Sequence, residues 1–215
     1  MPNPRRRSSQ LALAAILAFP LAVTASDPIP IESAVAFNTQ CARCHEGECS
    51  GRLSFHLGED AADEHIRRHG GALPVETVRQ LSELLRYMKV QCAFYPLPLT
   101  LARDRIWGED TLGRLRAPDG TGYFLPLGLL APGLYRLWID GLDPGARASA
   151  EVIAASFDQL DHQGIVPAGN RQVLAFQVDA PTELYVRITA QGPIALTGVE
   201  LASASAGASS PAQEP

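Results

Sequence analysis

The sequence is short of basic charge, of long apolar runs and of a second close pair of thiols, and each shortage closes off a class of function. Lysine and arginine total 18 against 23 aspartates and glutamates, a formal net charge of −5. Nucleic-acid binders meet phosphates with basic clusters, so that class is excluded. An acidic surface instead favours encounter with a basic protein partner. Beyond the first 25 residues no apolar run approaches the roughly 20 that a spanning helix needs, so no membrane span is expected in the mature chain. There are four cysteines, and Cys49 and Cys92 lie far apart in the chain. A four-ligand zinc site built on two paired clusters is therefore not expected. No G-x-S-x-G stretch is present, so the sequence offers no nucleophile elbow.

What is present begins with an export pattern. Arg5, Arg6 and Arg7 precede the short apolar run Leu11–Val23, and Val23-Thr24-Ala25 supplies small residues for cleavage. This is the layout of a secretory signal peptide over residues 1–25, which implies a soluble periplasmic protein. Loss of the three arginines would leave the remainder more acidic still.

Cys41-Ala42-Arg43-Cys44-His45 is the stretch that carries chemistry. In C-x-x-C-H, two thiols three positions apart each add to one vinyl group of a porphyrin, and the histidine that follows sits under the iron. A thioredoxin-like redox pair would follow a strand in a βαβ pattern, and no strand precedes this pair. The expectation is one covalent haem c, with Cys41 and Cys44 as attachment points and His45 as proximal ligand.

Two flanking segments have helical spacing. Glu32 to Cys41 repeats apolar residues at three and four positions, and Val78, Leu81, Leu84, Leu85 and Met88 form one stripe after Pro74. The segment Ala34-Val35-Ala36-Phe37-Asn38-Thr39-Gln40-Cys41-Ala42-Arg43-Cys44-His45 resembles the first helix and haem site of a class I cytochrome c. Leu81-Ser82-Glu83-Leu84-Leu85-Arg86-Tyr87-Met88-Lys89 resembles its last helix. The resemblance covers about Glu32 to Gln91. It implies that the two helices cross, with Phe37 meeting Tyr87, and that a distal ligand lies in a loop before the last helix.

That family supplies a methionine there, and this chain departs from it. Met1 leaves with the signal, and Met88 falls inside the last helix, where core filling is its ordinary role. His69, beside Gly70 and Gly71, stands about where the family's methionine stands, so the resemblance makes it the first candidate for distal ligand. His65 is the second, sharing a helical face with His69 at i, i+4, and His56 is the third. Any of them can equally be a solvated or core histidine. If the helices cross, Cys49 and Cys92 converge, and in an oxidising compartment a disulfide is expected. Arg52 is a candidate for a haem propionate, since arginine suits carboxylates, though a plain surface role fits as well.

After Tyr95-Pro96-Leu97-Pro98-Leu99 the period changes to two. Leu134–Asp140, Ala150–Phe157, Val173–Val178, Leu184–Thr189 and Ile194–Leu201 alternate, with turn residues between them. An antiparallel, jelly-roll-like β-sandwich is expected over residues 95–205, with a general look of carbohydrate-binding modules. Trp107, Trp138 and Tyr135 offer either a sugar platform or core. Asp158, Asp161 and His162 read as one loop that is either solvated or cation-binding. Residues 206–215, rich in Ala, Ser and Pro, read as a disordered tail.

The combined reading is an α+β, two-domain chain: a small all-α cytochrome c-like unit over 26–94, then the sandwich. It implies an exported one-electron carrier serving redox partner proteins, with the sandwich docking a glycan or a protein. Two alternatives stay open: a haem enzyme or small-ligand binder with an open distal site, and a haem-linked carbohydrate- or partner-binding module.

Overall fold

The computed structural model describes residues 28–46, 59–101, 103–167 and 169–204. The signal-like segment, Cys49, Arg52, His56 and the tail lie outside these residues.

The chain enters through helix α1 (Ile31–Ala36), which Pro30 precedes in extended backbone and Glu32 favours in its first turn. It widens into a π-helical turn, Phe37–Cys41, and tightens into a 3₁₀ turn, Ala42–Cys44. Helix α2 (Glu59–Gly70) carries arginines and His69 in its last turn, where the helix dipole favours cations. Gly71 ends it with φ +76, and its amide donates to the Arg67 carbonyl, a left-handed cap that glycine adopts without strain. Helix α3 (Val75–Gln91) follows Pro74 and buries Val78, Leu81, Leu84 and Met88 along one stripe. A short helix α4 (Glu109–Arg114) comes later.

Among the described residues eight strands form two antiparallel sheets. The strands are β1 (Ile106–Gly108), β2 (Gly122–Leu130), β3 (Gly133–Asp140), β4 (Ala148–Ala154), β5 (Gln159–Ile165), β6 (Arg171–Val178), β7 (Thr182–Ala190) and β8 (Gly198–Ser203). One sheet runs β1-β8-β3-β6 and the other β2-β7-β4-β5. On β3, Tyr135, Leu137 and Ile139 are buried while their neighbours face outward, the alternation of a sheet wet on one side. The second sheet differs. Strand β7 is buried at five successive positions, Leu184 to Ile188, and β2 is buried from Gly122 to Leu127. A sheet buried on both faces needs a cover on its outer side.

The helical segment is that cover. Thr39 of the π-helical turn lies against Gly122, where an added Cβ would stand 3.6 Å from its methyl and 2.8 Å from the Ile188 carbonyl oxygen. Phe94, just after α3, sits among Phe124, Phe157 and Tyr185, with ring centroids 4.9–5.2 Å apart. Phe37, Leu81, Leu84, Met88 and Phe94 belong to one continuous core with Phe124, Val152, Tyr185 and Val186.

The expected fold class is therefore corrected. The protein is mainly a β-sandwich with a helical layer packed on one sheet, and no separate all-α cytochrome domain stands before it. The physical reason is that the outer face of β2-β7-β4 carries large apolar rings, Phe124 and Tyr185, that must be covered, and the helices share its core. Tyr87, expected to meet Phe37, packs edge-on against Tyr95 at 5.2 Å. Among the described residues no helix is long and apolar enough to cross a membrane.

Candidate functional site

The helical layer brings the C-x-x-C-H stretch to the outer face of the second sheet. Cys41 ends the π-helical turn and is half-buried, whereas Cys44 is exposed. Burial, and then the neighbouring Cys44, push the Cys41 thiol above its ordinary pKa. His45 closes the 3₁₀ turn, and Lys89 of α3, itself buried, donates from Nζ to the His45 carbonyl at 3.1 Å.

The backbone on both sides of His45 is also tied to the sandwich. Phe124, Arg187, Glu151 and His162 form one row across β2, β7, β4 and β5. From that row Arg187 Nη2 donates to Glu46 Oε1 at 2.6 Å, and its Nε lies 3.4 Å from Glu151 Oε2. Glu151 Oε1 in turn lies 3.3 Å from Arg43 Nη2, between the two cysteines, and 3.9 Å from His162 Nε2. Arg187 is 0% exposed. Burial pushes the Glu46 carboxyl above the usual carboxylate range, and the Arg187 guanidinium opposes the shift.

Across from His45 stands α2. The His45 and His65 ring centroids are 6.0 Å apart with planes at 72°, and His69 lies one turn on, 4.6 Å from His65. The structure thus brings together three of the four histidines singled out in the sequence as iron ligands. It sets His65, rather than His69, beside His45. Both sit on a helix rather than in the loop expected before α3. Met88 is core, 1% exposed.

A six-coordinate haem c takes two thioether anchors and one ligand on each face of the iron. Imidazole–metal bonds are about 2 Å, so two imidazoles on opposite faces of one iron hold their centroids about 6 Å apart. His45 and His65 have that spacing, and either mutual twist of the rings is compatible with it. Nearby polar atoms are left over as well: the Asn38 amide and Arg187 Nη1 are buried and find no hydrogen-bond partner among the described residues. The donor set and its spacing fit the group.

Other sequence expectations are corrected. Among the described residues no group of three or more His, Cys, Asp or Glu side chains is placed to hold a metal ion. Asp161 and His162 lie on β5 rather than in a loop. Asp161 accepts from the Gln163 side chain and the His162 amide, and Asp158 from Ser156, so these carboxylates are engaged locally. No disulfide joins two described residues. Cys92 ends α3 in left-handed backbone, φ 50, while Cys49, its expected partner, lies outside the described residues. The description of a disulfide-bridged cytochrome domain with a metal-ion site is thus not what the structure displays. Trp107 and Tyr135 are core, and Tyr135 donates to the Ala131 carbonyl at 2.9 Å.

Trp138 alone of the three aromatics faces outward, on the uncovered side of β1-β8-β3-β6. Arg171 lies 5.9 Å over its ring and is paired with Asp140 at 2.9 Å and with Glu200 at 3.1 Å. Ile106, Leu134 and Val173 are exposed on the same face. The Glu151–Arg187 pair and this outer face are what reading the sequence missed. A signal existed for the first: Arg187 breaks an otherwise apolar strand, Leu184-Tyr185-Val186-Arg187-Ile188.

Fold and site together define an antiparallel β-sandwich with a helical layer that presents a C-x-x-C-H stretch and two further histidines. No family model and no curated protein matches the chain. Among solved structures it is similar to the CBM35 from Cellvibrio japonicus Abf62, at 11% identity and TM-score 0.30, covering 41% of this chain and 70% of that one. It is similar also to the carbohydrate-binding module CBM6cm-2 from Cellvibrio mixtus lichenase 5A, in complex with cellotriose. There the identity is 13% and the TM-score 0.29, over 40% of this chain and 73% of that one.

Proposed function

We propose that this protein is a haem-linked binding module. One haem c is joined through Cys41 and Cys44, with His45 and His65 as its axial ligands, and the sandwich supplies the binding surface. The observation that carries the reading is the 6.0 Å spacing of the His45 and His65 rings beside a C-x-x-C-H stretch. Such a group, when bound, supplies one-electron chemistry with both axial positions filled, and it leaves no iron site for substrate. This favours the module over a haem enzyme with an open distal side.

The chain's own residues then do three things. Cys41 and Cys44 anchor, His45 and His65 orient, and Lys89 and Arg187 fix the backbone between them. Attachment belongs to an exported chain, in keeping with the signal pattern and a periplasmic location. The outer face around Trp138 is the surface for a glycan or a protein, with an aromatic ring for stacking and three charged groups for hydroxyls or amides.

The test is expression of the full chain with and without c-type maturation machinery. With it, the protein should carry one haem that survives acid–acetone extraction and gives the spectrum of a six-coordinate, low-spin iron. Colourless protein, or pigment that extracts, would overturn the proposal.

A further inference from the structure

The cross-strand pair under the pentapeptide goes beyond covering a sheet. Its neighbours on the same face, Phe124 and Tyr185, are apolar or nearly so, and an apolar residue at position 187 would cover the sheet as well. A guanidinium wholly removed from water is costly unless paired. Arg187 is 0% exposed, and it meets two acids, Glu46 at 2.6 Å and Glu151 at 3.4 Å. Glu46 is the residue after His45. Arg43, which Glu151 holds, is two residues before it.

We propose that Arg187 is a positioning residue for the axial segment: through Glu46 it fixes the backbone that carries His45, and it places a permanent buried positive charge beside it. This rests on the haem reading above. Ion pairing at this depth is weakly screened, so charge at position 187 is felt by any nearby centre that changes charge. A fixed cation favours the less positive state of that centre, and Arg187 therefore raises the reduction potential. The fork geometry matters as well, since a lysine keeps the charge and loses the two-sided grip on Glu46 and Glu151.

The experiment uses the full haem-loaded chain and compares wild type with Arg187→Gln, Arg187→Lys and Glu46→Gln at pH 8. Midpoint potentials come from spectroelectrochemical titration, with haem content and melting temperature measured on the same samples. Arg187→Gln should lower the midpoint and Glu46→Gln should raise it. Arg187→Lys should keep the midpoint near wild type while losing thermal stability. A role in packing alone would lower melting temperatures and leave midpoints unmoved, and that result in haem-loaded Arg187→Gln overturns the inference. Should Arg187→Gln fail to fold, the near-isosteric Glu46→Gln decides by the same criterion. Wild type without haem overturns the haem reading and this inference together. Haem-loaded variants with unchanged midpoints overturn the inference alone.

Discussion

Glu151 on β4 and Arg187 on β7 stand directly opposite each other in the sheet ladder, and each reaches up to one end of the four-residue stretch Arg43–Glu46. Glu151 takes Arg43 and Arg187 takes Glu46, so two cationic and two anionic groups balance in a clamp that spans Cys44 and His45. Removing one member of a buried pair costs more than the pair contributes, because a charge is left without compensation. Arg187→Met should destabilise the protein by about 3–5 kcal/mol on that ground. Adding Glu46→Gln to it should recover part of the loss, as one fewer acid is stranded. Urea unfolding of both single variants and the double variant measures the coupling. Strict additivity would mean that the two residues do not act on one another.

Phe94 ties the helical layer to the sandwich. It is buried among three rings from β2, β7 and the turn after β4. Truncation of a buried phenylalanine costs about 3–5 kcal/mol. Because the two layers share a core, Phe94→Ala should lower one common transition. Far-ultraviolet signals from the helices and near-ultraviolet signals from the sandwich aromatics should melt together, in wild type and variant alike. Two separate transitions, with the sandwich unaffected, would contradict the shared core.

The sandwich was legible wherever a strand keeps one face wet. Strands β3 and β6 showed in the sequence because Tyr135, Leu137 and Ile139, or Leu174 and Phe176, alternate with less buried neighbours. Strand β2 was hidden: Gly122-Tyr123-Phe124-Leu125-Pro126-Leu127 is buried throughout and has no period of two. Its Pro126 sits where the register with β7 shifts, which lets a proline occur inside a sheet. Strand β5, Gln159–Ile165, is a polar edge and reads as a loop. Helix α2 was missed for a related reason. It buries chiefly Ile66 and so has little apolar stripe, although Glu64 and Arg68 pair at i, i+4. The attachment stretch is local chemistry and was plain in the sequence. Its docking on Arg187 was not, because 141 residues separate Glu46 from its partner.

Tyr185 gives the fold an alkaline limit. Burial first, and then Glu183, push its phenol well above the ordinary range. Unfolded tyrosine ionises near pH 10, roughly the free value. Above that pH the folded state holds a proton that the unfolded state has lost, so stability is full below about pH 10 and falls as pH rises further. Tyr185→Phe keeps the ring stacked on Phe124, 5.1 Å away at 11°, and gives up one long contact to Glu183. Its stability between pH 10 and 11.5 should decline less steeply than wild type's. Equal slopes would place the ionising group elsewhere.

The two histidines of α2 make the sharpest test of geometry against sequence order. Position relative to Tyr87 favoured His69, whereas the ring spacing sets His65 beside His45 and leaves His69 a turn further along the helix. On the haem reading, His65→Ala should convert a low-spin absorption spectrum to one with high-spin character that responds to carbon monoxide in the reduced state. His69→Ala should leave the spectrum low-spin, because His65 keeps its place on α2 without it. Added imidazole should restore the low-spin spectrum of His65→Ala by filling the vacated position, which separates a lost ligand from a general loosening of the helix. The opposite pattern, with His69→Ala high-spin and His65→Ala unchanged, would mean that α2 shifts along its axis by about one turn when the site is loaded, and that the 6.0 Å spacing belongs to the unloaded chain alone.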